Sequence, residues 1–197
     1  MASEMKIVEE ANQPLAMNPK KFAMWLFCVS VVMVFGALTS AYIVRQAEGN
    51  WSEFDLPVLF WVNTVVILVS SVSLHWAYLA AKQDRLETLK IALIITTILG
   101  GSFLVGQFMG WVDLVNQRVY WVGNPSGSFV YVLSGLHGLH IIGGVVYLLI
   151  VLKSTFQYKV HSKSLNQIEM CVTYWHFLGG LWLYLFVFLL LTRESDL

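Results

Sequence analysis

The sequence predicts an all-α, polytopic membrane protein with five transmembrane helices, its N-terminus inside and its C-terminus outside. Three observations carry this reading. Hydrophobic residues make up 57% of the chain and charged residues 12%, and mean hydropathy is +0.68, a balance foreign to soluble domains of this length. Five apolar runs, near 22–44, 57–80, 89–112, 128–152 and 171–192, each have the length of about 20 residues that a bilayer crossing needs. Basic residues then crowd into alternate connections, as they do in multi-pass proteins.

Residues 1–21 are polar and are expected to form a cytoplasmic segment. They do not read as a signal peptide, because the first apolar run comes too late and is too long. Residues 22–192 form the five-helix domain, and 193–197 a short tail. Backbone groups in lipid must be satisfied within their own segment, so each run is a helix. The connections are short and no internal repeat is visible, which predicts one bundle.

Orientation follows from lysine and arginine. Lys6, Lys20 and Lys21 precede the first span, Lys82, Arg85 and Lys90 separate the second from the third, and Lys153, Lys159 and Lys163 separate the fourth from the fifth. Only Arg45, Arg118 and Arg193 fall on the opposite side. Aromatic residues mark both boundaries: Trp51, Trp61, Trp111, Tyr120 and Trp121 at the outer level, Phe22, Trp25, Trp76, Tyr78, Tyr174 and Trp175 at the inner one.

Span three carries Ser102, Gly106 and Gly110 at four-residue steps, a small-residue ridge for close helix packing. Gln107 beside it suits an interhelical hydrogen bond. Gly179 and Gly180 offer the same close approach in span five. Span four holds the densest pattern, YVLSGLHGLHIIGG over 131–144, with His137 and His140 three apart among small residues. Positions i and i+3 share a helix face, and ionisable groups at membrane depth usually point into protein. The pair therefore reads as ligands, as a proton relay, or as packing residues in a polar seam.

Several chemistries find no support. Twelve basic and twelve acidic residues leave no surplus for nucleic acid. Cys28 and Cys171 form no CxxC pattern and read as small buried apolar residues. No Asp or Glu lies inside a span; Asp113 and Glu169 sit just beyond spans three and five, which argues against an autonomous ion or proton path. A membrane haem is often held by two histidines at matching depth on facing helices. His140 and His176 differ in depth by on the order of 10 Å, whereas His75 approaches the depth of His176 and leaves a single b-type haem open there. A metal held by His137, His140 and a third ligand lacks any acid or sulfur at that depth. Glu169, Thr173, His176 and Gly180 line one face of span five and could receive lipid phosphates, water or a neighbouring subunit. His161 falls in a solvated inner loop.

Spans four and five, GLHGLHIIGG and YWHFLGGLWLYLF, resemble subunit III of the haem–copper terminal oxidases, with a GxHGxHxxxG pattern and Glu169 preceding His176. MWLFCVSVVMVFGALTSAY, NTVVILVSSVSLHWA and LGGSFLVGQF agree in the first three spans. The resemblance covers nearly all of 20–192 and fits the five-span form, which lacks an N-terminal helix pair. It implies a non-catalytic subunit with no haem or copper of its own, those cofactors belonging to partner subunits. Such a subunit packs beside subunit I, which reduces oxygen and pumps protons, in a complex with subunit II. It holds phospholipids in a V-shaped cleft, and it supports proton uptake and the durability of subunit I. A bacterial inner membrane and a larger respiratory supercomplex are the implied setting.

His137, His140, Glu169 and His176 match polar positions of the family motif and are assigned structural or lipid-contacting roles. Two departures remove acids: Ser30-Val31 stands where the family often has Ser-Glu, and Gly179 where it often has Asp. Both weaken any proton-conducting role. The same fold in a quinol oxidase or a nitric-oxide-reductase-associated complex is the near alternative, and a b-haem membrane anchor the alternative of a different class.

Overall fold

The computed structural model describes residues 18–52, 54–157 and 165–194, the side chains of 193 and 194 excepted. Its described residues form five helices in chain order: α1 Pro19–Ala47, α2 Val58–Lys82, α3 Leu86–Asn116, α4 Pro125–Phe156 and α5 Asn166–Glu194. All five are long and apolar enough to cross a membrane. Lys6, Lys159, Lys163 and His161 lie outside the described residues.

Each helix overruns its apolar run, because backbone hydrogen bonding does not stop where hydrocarbon does. Local chemistry sets the true starts. Asn18 accepts from the Lys20 N–H at 3.0 Å and Pro19 occupies the first turn of α1. Asn124 likewise accepts from the Ser126 N–H at 2.9 Å ahead of Pro125 in α4. Both are side-chain caps followed by a proline whose missing N–H costs nothing there. The early start of α5 puts Glu169 in its first turn, where a carboxylate faces the positive end of the helix dipole.

Helices α2, α3, α4 and α5 close into a ring in which each packs on the next, α5 returning to α2. Helix α1 lies outside this ring against α4 and α5, and among the described residues it makes no close approach to α2 or α3. Glycines let the ring close. A Cβ at Gly110 would stand 2.7 Å from the Phe60 ring, and one at Gly100 2.6 Å from Trp175. Gly106 lies against the Asn63 side chain and Gly179 against Ser71. Ser102 is on the exposed side of α3, its hydroxyl turned back onto the Ile98 carbonyl at 2.9 Å, so the close-packed ridge is made by Gly106 and Gly110.

Aromatic rings fill the middle. Trp182 meets Phe103 edge-on at 5.0 Å between centroids and Phe60 at 5.7 Å. Trp175 donates to Ser70 Oγ and Trp182 to Thr64 Oγ1, both at 3.0 Å, which satisfies the two buried indoles. Trp175 is therefore not an interfacial residue as its sequence position suggests; it is fully buried at the centre of the ring.

Candidate functional site: an amphipathic groove beside α1

Because α1 touches α5 but not α2, a groove opens between α1 and the α2–α5 edge of the ring. At the end where α1 begins it has a volume of about 840 Å³ and is lined by Lys21, Met24 and Trp25 of α1, His75 and Tyr78 of α2, and a stretch of α5 from Glu169 to Phe177. Phe177 also belongs to the next stretch of the groove, about 380 Å³, where the lining becomes Val32, Phe35, Gly36, Leu181 and Tyr184. The groove is thus polar at one end and apolar toward mid-membrane.

The polar end is a connected set. Lys21 pairs with Glu169 across the mouth of the groove. Tyr78 donates to the other Glu169 carboxylate oxygen at 3.4 Å, and Lys82 lies over the Tyr78 ring at 4.5 Å from its centroid. Deeper still, one turn along α2 from Tyr78 and two along α5 from Glu169, His75 and His176 face each other with ring centroids 6.0 Å apart. Thr173 turns its hydroxyl back onto the Glu169 carbonyl at 2.8 Å. Lysine and tyrosine donors around one carboxylate, with two imidazoles behind them, make a surface that can bond an anionic or zwitterionic group at the membrane boundary.

The four histidine and glutamate positions singled out from sequence do not gather in one place. Glu169 and His176 line the groove, as does Thr173; Gly180 is exposed but is not part of the lining. His137 and His140 sit elsewhere and diverge. His140 packs against Phe27 and Phe35 of α1 at 6.2 and 5.8 Å between centroids, and its Nδ1 bonds the Leu136 carbonyl of its own helix at 2.7 Å. His137 points into the ring, fully buried, against Trp182 at 5.3 Å and Phe103 at 5.8 Å. Neither His137 nitrogen has a hydrogen-bond partner among the described residues, so there the two histidines do not form a hydrogen-bonded seam. Three residues apart turns successive side chains by about a sixth of a circle, enough here to send one toward α1 and the other toward α3 and α5. Among the described residues no three His, Cys, Asp or Glu side chains come together.

Sequence reasoning missed Lys21 and Tyr78 as members of the site. Lys21 served only as a topology charge and Tyr78 only as an interfacial anchor. Their common level with Glu169, at the start of span one, the end of span two and the start of span five, was the available signal.

Fold and groove together define a class: a multi-pass helical membrane protein built as a four-helix ring with a fifth helix that props open an amphipathic groove. The family model for cytochrome c oxidase subunit III matches residues 3–192. The chain is 30% identical over 192 residues to a probable cytochrome c oxidase subunit 3 of Nocardia farcinica, covering 94% of this chain and 93% of that one. It is 29% identical over 178 residues to cytochrome c oxidase subunit 3 of Thermostichus vulcanus, with 85% of each covered. It is also 28% identical over 193 residues to the mouse subunit, covering 89% of this chain and 70% of that one. The chain belongs to the cytochrome c oxidase subunit III family, and so is part of an oxidase complex.

Proposed function

We propose that this chain is the non-redox subunit III of a haem–copper terminal oxidase in a bacterial inner membrane, with its N-terminus on the cytoplasmic side. In this reading it packs on subunit I, sits in a complex with subunit II, and holds a phospholipid in the groove beside α1. The headgroup lies against Lys21, Tyr78, His75 and His176, and an acyl chain runs past Phe177 toward Gly36. Its service to the oxidase is durability: it covers subunit I and supports its proton uptake without conducting protons itself. Val31, where the family often has an acid, is buried on the α1 face that meets the ring, so the interior of that contact is uncharged. The haem and copper of the reaction belong to the partner subunits.

The carrying observation is the polarity of the groove, with charged and hydrogen-bonding groups of three helices at one end and apolar walls beyond. A b-haem between His75 and His176 fits less well. One turn away the two helices touch, through Trp175 on Ser70 and Gly179 on Ser71, which leaves no slot for a macrocycle between the rings. The test is native mass spectrometry of the purified oxidase carrying Lys21→Ala with His176→Ala, which removes two of the groups that face the headgroup. Retained phospholipid falls while the haem spectra stay those of the parent; unchanged lipid content removes the groove from this role. An α-band belonging to the isolated chain would return the haem reading.

A further inference from the structure

The interior of the ring holds three polar side chains that its architecture does not explain. Asn63 of α2, Gln107 of α3 and His137 of α4 are 2%, 2% and 0% exposed. Five of their atoms have no partner among the described residues: Asn63 Nδ2, both amide heteroatoms of Gln107, and both ring nitrogens of His137. Buried groups left in this state are rare and costly.

The three share one level. Gly106, next to Gln107, lies against Asn63. On α3, Gln107 is one turn from Phe103, whose ring meets His137, and one turn from Trp111, whose indole donates to Ser134 of α4 at 2.9 Å. Ser134 in turn places Gly138 one turn along the same face of α4, opposite Gln107. Gly138 is buried, yet a Cβ built there meets no atom of a neighbouring helix within 4 Å. Room and orphaned polar atoms therefore coincide.

Neighbouring polar groups are already committed: the Trp182 indole bonds Thr64, whose hydroxyl bonds the Phe60 carbonyl, and Ser134 bonds the Val130 carbonyl. As placed, the three do not bond one another through these atoms. The two nitrogens of an imidazole point in divergent directions, so a single carboxamide turned onto His137 would still leave one of them without a partner.

We propose that the space beside Gly138 is a buried water site, in which water bridges Gln107, His137 and Asn63 and so joins α2, α3 and α4 at the core of the ring. Buried water typically makes about three bonds to groups that lack other partners, and three helices present such groups here. Phe103 and Trp182 both pack on the His137 ring, and Phe60 packs on Trp182.

The test uses the intact oxidase complex in two measurements. An electron cryo-microscopy map that resolves ordered solvent shows density beside Gly138 within bonding distance of Gln107 and His137; a dry space, with the amide and imidazole turned onto each other, overturns the proposal. Gly138→Ala supplies the second. Alanine meets no steric obstacle and is the better helix former, so in a dry cavity it holds or raises the melting temperature of the complex. Displacing water from orphaned polar groups instead lowers it by several degrees. A melting temperature that is unchanged or raised overturns the site even if the map is ambiguous.

Discussion

The helices of the α2–α5 ring and the outlying α1 are all apolar enough to cross a membrane but are held by different means. In the ring, Phe60, Leu74, Leu93, Phe103, Leu133 and Trp175 are all completely buried, and glycines at four contacts bring backbones close. On α1 only a stripe, Cys28, Val31, Phe35, Thr39 and Tyr42, is buried, while Met33 is 70% and Leu26 55% exposed. The one glycine in α1, Gly36, meets no atom within 4 Å where its Cβ would be. In lipid there is no hydrophobic drive to bring helices together, so tightness comes from small residues, complementary shape and interhelical bonds. The ring has all three. Helix α1 depends on a few bonds along its length: Lys21 to Glu169 at one end, Thr39 with Tyr184 at 2.9 Å in the middle, and Gln46 to the Thr192 carbonyl at 3.0 Å at the other. A loosely applied helix is what leaves a groove.

The sharpest way to break this contrast is to cut a large side chain from each region. Trp175→Ala removes a fully buried indole and its bond to Ser70; the expected cost is about 3–5 kcal/mol, read as loss of thermal stability of the assembled complex. Met33→Ala on the exposed side of α1 is expected to stay within about 0.5 kcal/mol of the parent. Equal losses would mean that α1 is covered as tightly as the ring. Next in size is Gly110→Val. Its new side chain is driven into Phe60, at about 1–3 kcal/mol for overpacking, visible as a lowered melting temperature. Thr39→Val is smaller again. It keeps the shape of the buried stripe but deletes the bond to Tyr184, at a cost of about 0.6 kcal/mol, typical of membrane interhelical bonds. Hydrogen exchange should rise along α1 and stay unchanged in α2–α5.

Much of this contrast was legible in the sequence, and the part that was not has a physical cause. Five spans follow from run length alone, since lipid permits few alternatives to a helix. Gly106 and Gly110 were legible as a packing ridge because four-residue spacing fixes a helix face. Ser102 shares the spacing but not the contact, because period alone cannot say where a neighbouring helix ends. His137 and His140 show the same limit more sharply: a three-residue step permits a common face, and only the positions of α1, α3 and α5 decide that the rings part. Trp175 looked interfacial by its nearness to a span end, yet helix α5 begins as early as Asn166 and carries it inside. The Lys21–Glu169 pairing joins residues 148 positions apart, and no local pattern announces it.

That pairing also yields the smallest expected effect on stability and the clearest separation of stability from function. The Lys21 and Glu169 side chains are 33% and 30% exposed, so water and salt screen their attraction. Exposed ion pairs contribute about 0–1 kcal/mol, and Lys21→Ala should therefore leave the melting temperature of the complex close to that of the parent. Its effect belongs to the groove. Glu169 would lose its cation while Tyr78 remained beside it, and the mouth of the groove would become more negative by one charge. An anionic phospholipid should then be retained less well than in the parent complex, with Lys21→Arg restoring most of the retention because it restores the charge. If Lys21→Ala unfolds α1 as readily as it sheds lipid, the lysine is a structural clamp on the loose helix, and the two ends of α1 should then respond alike, with Gln46→Ala producing the same loss.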